Sequence, residues 1–335
     1  MVGKRFRWID CLKGLAIFLV ILGHSIERYQ NAVGENIILG QIDNFIYGFH
    51  MMLFFMISGY IYGMKEEKLK ENGQSEGFWK FTKNKLIDLG IPYIIFALLV
   101  WLGKFIFADF VKYQVSLSDL FTILINPVAF TWFIYILLWV SVIIKGLDLI
   151  IKNKVIVWGL TLLLALISCV FETNIKLIDR VNFYAIGYYT GAVIYKNFSE
   201  KICRNKPFIL AIMIIFIVFS CLRGIYGELL CLKAITGISG SVLIMIIMYL
   251  IGERKNIIYN FMVFCGEITI FLYILHPIVL SSIKVIFVKL GITNCVIWLT
   301  TLIVLGFIIP IGYYFIAKRI WVLDAIFRPR KYLKK

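Results

Sequence analysis

Apolar runs of roughly 17 to 25 residues recur from Trp8 to Ala317, separated by short basic clusters, and this repetition leaves few folds open. Each run is long enough to cross a hydrocarbon core of ~30 Å as a helix. Inside lipid, peptide groups must be satisfied within the protein, and a helix does this within one segment. With 61% of its residues hydrophobic, the chain has lipid as its main solvent. The sequence therefore predicts an all-α polytopic transmembrane helix bundle, a single integral-membrane domain over 1–335. Ten spans are expected, at 8–26, 45–64, 86–107, 128–145, 154–171, 181–196, 207–223, 231–252, 258–283 and 295–317.

The formal net charge of +16 does not point to nucleic acid, because the basic residues lie in clusters between apolar runs and form no basic-aromatic stripe. Counted on alternate sides of the ten spans, Lys and Arg divide 25 to 9, with Lys13 inside the first span. The nine are Arg28, Lys104, Lys112, Lys176, Arg180, Arg223, Lys233, Lys284 and Lys289. This asymmetry predicts a multi-pass plasma-membrane protein with both termini in the cytoplasm. Only 10 of the 35 basic residues are Arg, a weak sign of an AT-rich bacterial genome. The start "MVGKRFRWID" precedes a run long enough to span and has no small-residue cleavage pattern, so it reads as a retained helix. The seven cysteines are scattered without a CxxC pair, which implies neither a disulfide framework nor a zinc ribbon.

The longest polar stretch, Lys65 to Lys85, is expected on the cytoplasmic side as a solvated loop with a short amphipathic helix. Phe78, Trp79 and Phe81 would dip into the interface. Some of its lysines would also raise the local concentration of an anionic cofactor.

Ionisable groups at membrane depth are costly and mark functional sites. The chain has three histidines, His24, His50 and His276, and all three fall at one depth in the outer half of their spans. Lys13 and His24 are eleven residues apart, three helical turns plus ~20°, so they share a face and lie ~16 Å apart along the axis. Asp10, three residues before Lys13, can pair with it. Gly14 and Gly23 flank the two groups and permit close approach. No H-x-x-x-H pair is present, so no metal is expected. No G-x-S-x-G supports a serine hydrolase, and Ser58 beside Gly59 reads as a helix-packing residue. In "YILHPI", Pro277 crowds the carbonyl of Tyr273, which would stand free beside His276 as part of a binding wall.

Four pieces of the chain resemble the acyltransferase 3 family of integral-membrane acyltransferases: "IDCLKGLAIFLVILGH", "FHMMLFFMISGY", "FTWFIYILL" and "GEITIFLYILHPI". Two departures accompany the likeness. Lys13 stands where Arg is commoner, and "KLIDLGIPY" supplies Lys85 but has Asp88 at the second basic place. The resemblance implies transfer of an acyl group, most often acetyl from acetyl-CoA, to a hydroxyl of a cell-surface polysaccharide or its lipid-linked precursor. On that reading His24 is the general base, since neutral imidazole suits the task. His50 and His276 would orient the acceptor or donate to the oxyanion, and Trp132 would stack on a sugar. Lys13, with Asp10 setting its rotamer, would hold the CoA together with Lys85. A covalent acyl-histidine route is equally open. Expected partners are the acyl-CoA donor, a glycan acceptor, membrane lipids and polysaccharide-assembly proteins. The rival reading is a transporter or flippase of a glycan intermediate or small polar solute, with the histidines as a proton relay. The residues do not name the sugar, the acyl chain or the oligomeric state.

Overall fold

A computed structural model of the chain describes residues 6–106, 115–127, 129–227, 229–254 and 256–333. Among the basic residues counted above, Lys4, Arg5, Lys112, Lys255, Lys334 and Lys335 lie outside the described residues.

All described regular structure is helical. The order is α1 (Arg7–Val33), α2 (Ile37–Glu71), α3 (Phe78–Lys85), a π turn (Leu86–Gly90), α4 (Ile91–Ile106), α5 (Leu117–Thr122), a 3-10 turn (Ala129–Thr131), α6 (Trp132–Ile150), α7 (Lys154–Val170) and α8 (Lys176–Asn197). The second half comprises α9 (Glu200–Cys203), α10 (Lys206–Tyr226), α11 (Leu230–Ile251), α12 (Ile257–Glu267), α13 (Thr269–Lys289), α14 (Cys295–Ala317), α15 (Trp321–Phe327) and α16 (Arg330–Leu333). Eight helical stretches are long and apolar enough to cross a membrane: α1, α2, Phe78–Ile106, α6, α10, α11, α13 and α14. The expected fifth and sixth spans are present as α7 and α8, but α7 has only 17 residues and α8 falls short of the other eight in hydropathy.

Local chemistry sets several boundaries. Asn153, Asn205 and Asn256 each cap a helix by accepting from backbone N–H groups of the first turn of α7, α10 and α12. The π turn precedes Pro92, which has no N–H to offer the carbonyl of Asp88, so the ladder there shifts to a wider spacing.

The expected ninth span is corrected: 258–283 is not one helix, since Ile268 interrupts the ladder between α12 and α13. Thr269 reinforces the break by donating its hydroxyl to the carbonyls of Gly266 and Cys265, at 2.7 and 3.2 Å. The Lys65–Lys85 expectation also changes. Residues 65–71 continue α2, Phe81 is buried, and Trp79 alone of the three aromatics is strongly exposed, at 81%.

The helices form two compact units, Met1–Ser58 with Ile194–Ile316, and Gly59–Val193 with Ala317–Lys335. In the first, α1 and α12 meet backbone to backbone. A Cβ on Gly14 would lie 1.9 Å from the Met262 carbonyl oxygen, and one on Gly266 would lie 1.8 Å from that of Asp10. The two contacts are one turn apart on each helix and run antiparallel, a close crossing that only hydrogen at Cα allows. Beyond it, α1 packs through Ile26 and Tyr29 onto Leu280, Ile283, Phe287, Trp298 and Leu302 of α13 and α14.

In the second unit, Gly59 and Gly63 bring α2 equally close to α8. A Cβ at either would lie 1.7 or 2.4 Å from the carbonyl oxygens of Tyr188 and Ala192. The close approach expected of Gly14 is met at the α1–α12 crossing, and here the sequence G-Y-I-Y-G sets a second one over a full turn of α2.

Candidate functional site

The first unit gathers the three histidines. His24 on α1 and His276 on α13 have ring centroids 5.5 Å apart. Tyr47 of α2 stands edge-on to both His24 and His50, at 6.0 and 4.9 Å. The common depth read from the sequence thus corresponds to one cluster, with His50 3% and His276 0% exposed and His24 partly open.

Hydrogen bonds fix how each ring is turned. His24 Nδ1 lies 2.9 Å from Oε2 of Glu27 and 3.0 Å from the Tyr47 hydroxyl, which itself donates to Glu27 Oε2 at 3.2 Å. An ionised carboxylate accepts only, so it takes the Nδ1 proton and leaves Nε2 of His24 with a lone pair. His50 and His276 donate Nδ1–H to the carbonyls of Ile46 and Leu272, both at 2.8 Å. Their Nε2 atoms are therefore acceptors too, and that of His276 is buried without a hydrogen-bond partner. These tautomers are assigned from the network. The result is a cluster of lone pairs suited to accepting protons or hydrogen bonds from hydroxyl groups.

Around the cluster, Arg28 ties α1 to α13. Its guanidinium donates to the carbonyl of His24 at 3.3 Å, to that of Pro277 at 3.3 Å and to the Ser281 hydroxyl at 3.2 Å. Tyr273 is buried with its ring 6.2 Å from His276. Arg223, counted from the sequence as a loop residue, is 2% exposed, and it donates to the carbonyl of Asn44 at 3.0 Å, below His50 on α2. Gly48 makes room for it, since a Cβ there would lie 2.5 Å from Nη1.

At the other end of α1, Lys13 Nζ sits 2.7 Å from Oδ1 of Asp10, which is 3% exposed. The expected pair is present, with Asp10 buried beside the α1–α12 crossing and Lys13 partly open.

The remaining predicted residues belong to the second unit. Trp132 carries the Arg180 guanidinium 4.5 Å above its ring, so one face of the indole is occupied. Lys85 lies 5.5 Å from the ring centre of Phe81, with Lys65 and Lys145 at 6.0 and 5.7 Å. Lys65 pairs with Glu76 and Lys145 with Glu66. Burial alone would raise the Glu76 carboxyl, but the hydrogen bonds from Lys65 and Asn84 outweigh it and hold it below the usual range. Asp88 is 2.9 Å from Arg330, an ion pair in place of the second basic residue of the family pattern. Among the described residues no group of three or more His, Cys, Asp or Glu is arranged to hold a metal ion.

Glu27 and Tyr47 were not anticipated, although each stands three residues from a histidine on the same helix, a spacing that places side chains together.

A polytopic helix bundle with imidazoles gathered inside it defines an integral-membrane protein with a buried histidine cluster. The acyltransferase domain of the acyltransferase 3 family matches residues 6–316, and the chain belongs to this family of membrane acyltransferases. No curated protein and no solved structure matches it.

Proposed function

We propose that this membrane acyltransferase moves an acetyl group from acetyl-CoA to a hydroxyl of a cell-surface or lipid-linked glycan, in a bacterial plasma membrane with both termini cytoplasmic. The observation that carries the reading is the Glu27–His24 contact of 2.9 Å, which leaves Nε2 as a base within the histidine cluster. A sugar hydroxyl needs such a base to attack a thioester at neutral pH. His24 Nε2 takes the hydroxyl proton as the oxygen bonds to the acyl carbon, and returns it to the sulfur as the carbon–sulfur bond breaks. His50 and His276, with Nδ1 engaged on backbone carbonyls, accept hydrogen bonds from the acceptor and orient it. In these tautomers their Nε2 atoms carry lone pairs, which favours the orienting role over donation to an oxyanion. Lys13, held by Asp10, attracts the anionic donor, and Lys85 adds positive charge on the side that the 25 to 9 count gives to the cytoplasm.

Inside-out vesicles supplied with labelled acetyl-CoA test the reading. Label in the glycan that disappears with His24→Ala, in protein that still elutes as a folded species, is the expected result. Full transfer by His24→Ala removes the base assignment. No label, with solute flux independent of acetyl-CoA, favours the transporter.

A further inference from the structure

The unit Gly59–Val193 with Ala317–Lys335 contains a recess of about 280 Å³ that acyl transfer at the histidines does not use. The last turns of α2 and α6 and one face of α8 wall it, and the connections after α2 and α6 form its rim.

Its floor is polar and internally satisfied. Lys145, 1% exposed, places Nζ 2.9 and 2.8 Å from the two carboxylate oxygens of Glu66. Asp148 accepts from the Tyr62 hydroxyl on one oxygen at 2.8 Å and from that of Tyr189 on the other at 2.9 Å. Each Asp148 oxygen keeps a second lone pair for a further donor.

The rim has the opposite character. Lys70, Lys152 and Lys154 line the same recess, and no ion pair is recorded for any of them among the described residues. Counting Lys145, four ammonium groups face two carboxylates. The N-terminus of α7 begins at this rim, and a helix N-terminus favours anions.

We infer that this recess binds a phosphate-bearing molecule that also carries a hydroxyl or amine. Its phosphate oxygens meet Lys70, Lys152 and Lys154, and its donor meets Asp148. The volume, near the lower end of the ~300–1,000 Å³ of small-molecule sites, suits a mononucleotide or a phospholipid headgroup rather than a polymer. Three rim cations without carboxylate partners set the charge of the ligand, and the acceptor floor sets its second requirement. The inference stands independently of the acyl-transfer reading.

The test uses the full chain in nanodiscs, with two arms. One titrates adenosine 5′-monophosphate calorimetrically into phosphatidylcholine discs. The other measures, by native mass spectrometry, phosphatidylglycerol retained from mixed discs. The rim variant Lys152→Glu/Lys154→Glu is compared with Lys201→Glu/Lys206→Glu, an exposed pair outside this unit with the same change of charge. The expected result is a loss of about tenfold or more in one arm for the rim variant, with the control pair equal to the native chain. Loss in the nucleotide arm identifies a soluble ligand, and loss in the phosphatidylglycerol arm identifies a headgroup. Lys152→Ala/Lys154→Ala must move the same arm in the same direction. Equal behaviour of native chain, rim variants and control in both arms overturns the inference.

Discussion

Glu27 holds the imidazole of His24 from one turn further along α1, Oε2 to Nδ1 at 2.9 Å, while Tyr47 reaches both groups from α2. The carboxylate fixes the tautomer, and the tyrosine fixes the carboxylate. Glu27→Gln should therefore lower the turnover of acyl transfer by about tenfold or more, as a part of the ~10²–10⁴ that a positioned base supplies. Glu27→Asp should recover some of it. Initial rates at saturating donor and acceptor decide the matter, and unchanged turnover in Glu27→Gln would remove the positioning role.

The crossing of α1 and α12 should tolerate no side chain. Gly14→Ala places a methyl 1.9 Å from the Met262 carbonyl oxygen, so the helices must part. Overpacking of this kind costs ~1–3 kcal/mol. Thermal unfolding in detergent should show a lowered midpoint for Gly14→Ala, and little change for Gly159→Ala, where a Cβ meets nothing within 4 Å.

Lys145 is buried and its partner Glu66 half-buried, and the loss of the pair depends on how it is removed. Lys145→Met alone leaves a carboxylate without its partner; breaking a fully buried pair costs ~3–5 kcal/mol, and the part-open Glu66 should bring the loss below that. The double change Lys145→Met/Glu66→Leu should be milder than the single one. A double-mutant cycle on unfolding free energy measures this, and additive losses would contradict it.

Acid should loosen the C-terminal segment first. Asp324 is buried, which by itself would raise its carboxyl, but hydrogen bonds from Lys331, Tyr332 and Arg328 outweigh burial and hold it below the ordinary carboxylate value. A depressed carboxyl contributes stability above its unfolded value, ~3.9, and that contribution disappears as pH falls through the folded value. The protection of α15 and α16 against hydrogen exchange, taken relative to the intrinsic rate at each pH, should therefore be flat from neutral pH to about 4 and fall below it. Asp324→Asn should remove the acid step, with faster exchange at neutral pH.

Much of this architecture can be read before folding. The eleven-residue interval between Lys13 and His24 predicts one helix face, and His24, His50 and His276 share a depth in the sequence; the fold gathers them into one cluster. What hydropathy cannot convey is the behaviour of single polar residues near span ends. Arg223 and Lys145 count as loop charges in a sum over sides, yet both are buried, because each finds acceptors on a neighbouring helix. The break at Ile268 is marked by Gly266, Glu267 and Thr269, but a short polar patch inside a long apolar run does not by itself end a helix. Thr269 reinforces the break by turning its hydroxyl back onto α12. Glu27 and Tyr47 were legible in principle from their three-residue spacing to histidines, but a search for charges at depth passes over a tyrosine and a residue placed near the outer end of its span.

The glycine crossing of α1 and α12 also acts as a zero mark on a ruler. Asp10 and Gly14 are pinned to Gly266 and Met262 without freedom to slide, and His24 follows ten residues later, ~15 Å along the same helix. Inserting one apolar residue between Gly14 and His24 would keep the span as hydrophobic as before, yet swing the imidazole by ~100° away from Tyr47. The interval is thus constrained in length as well as composition, and a helix that any lipid would accept has only one register that the site accepts.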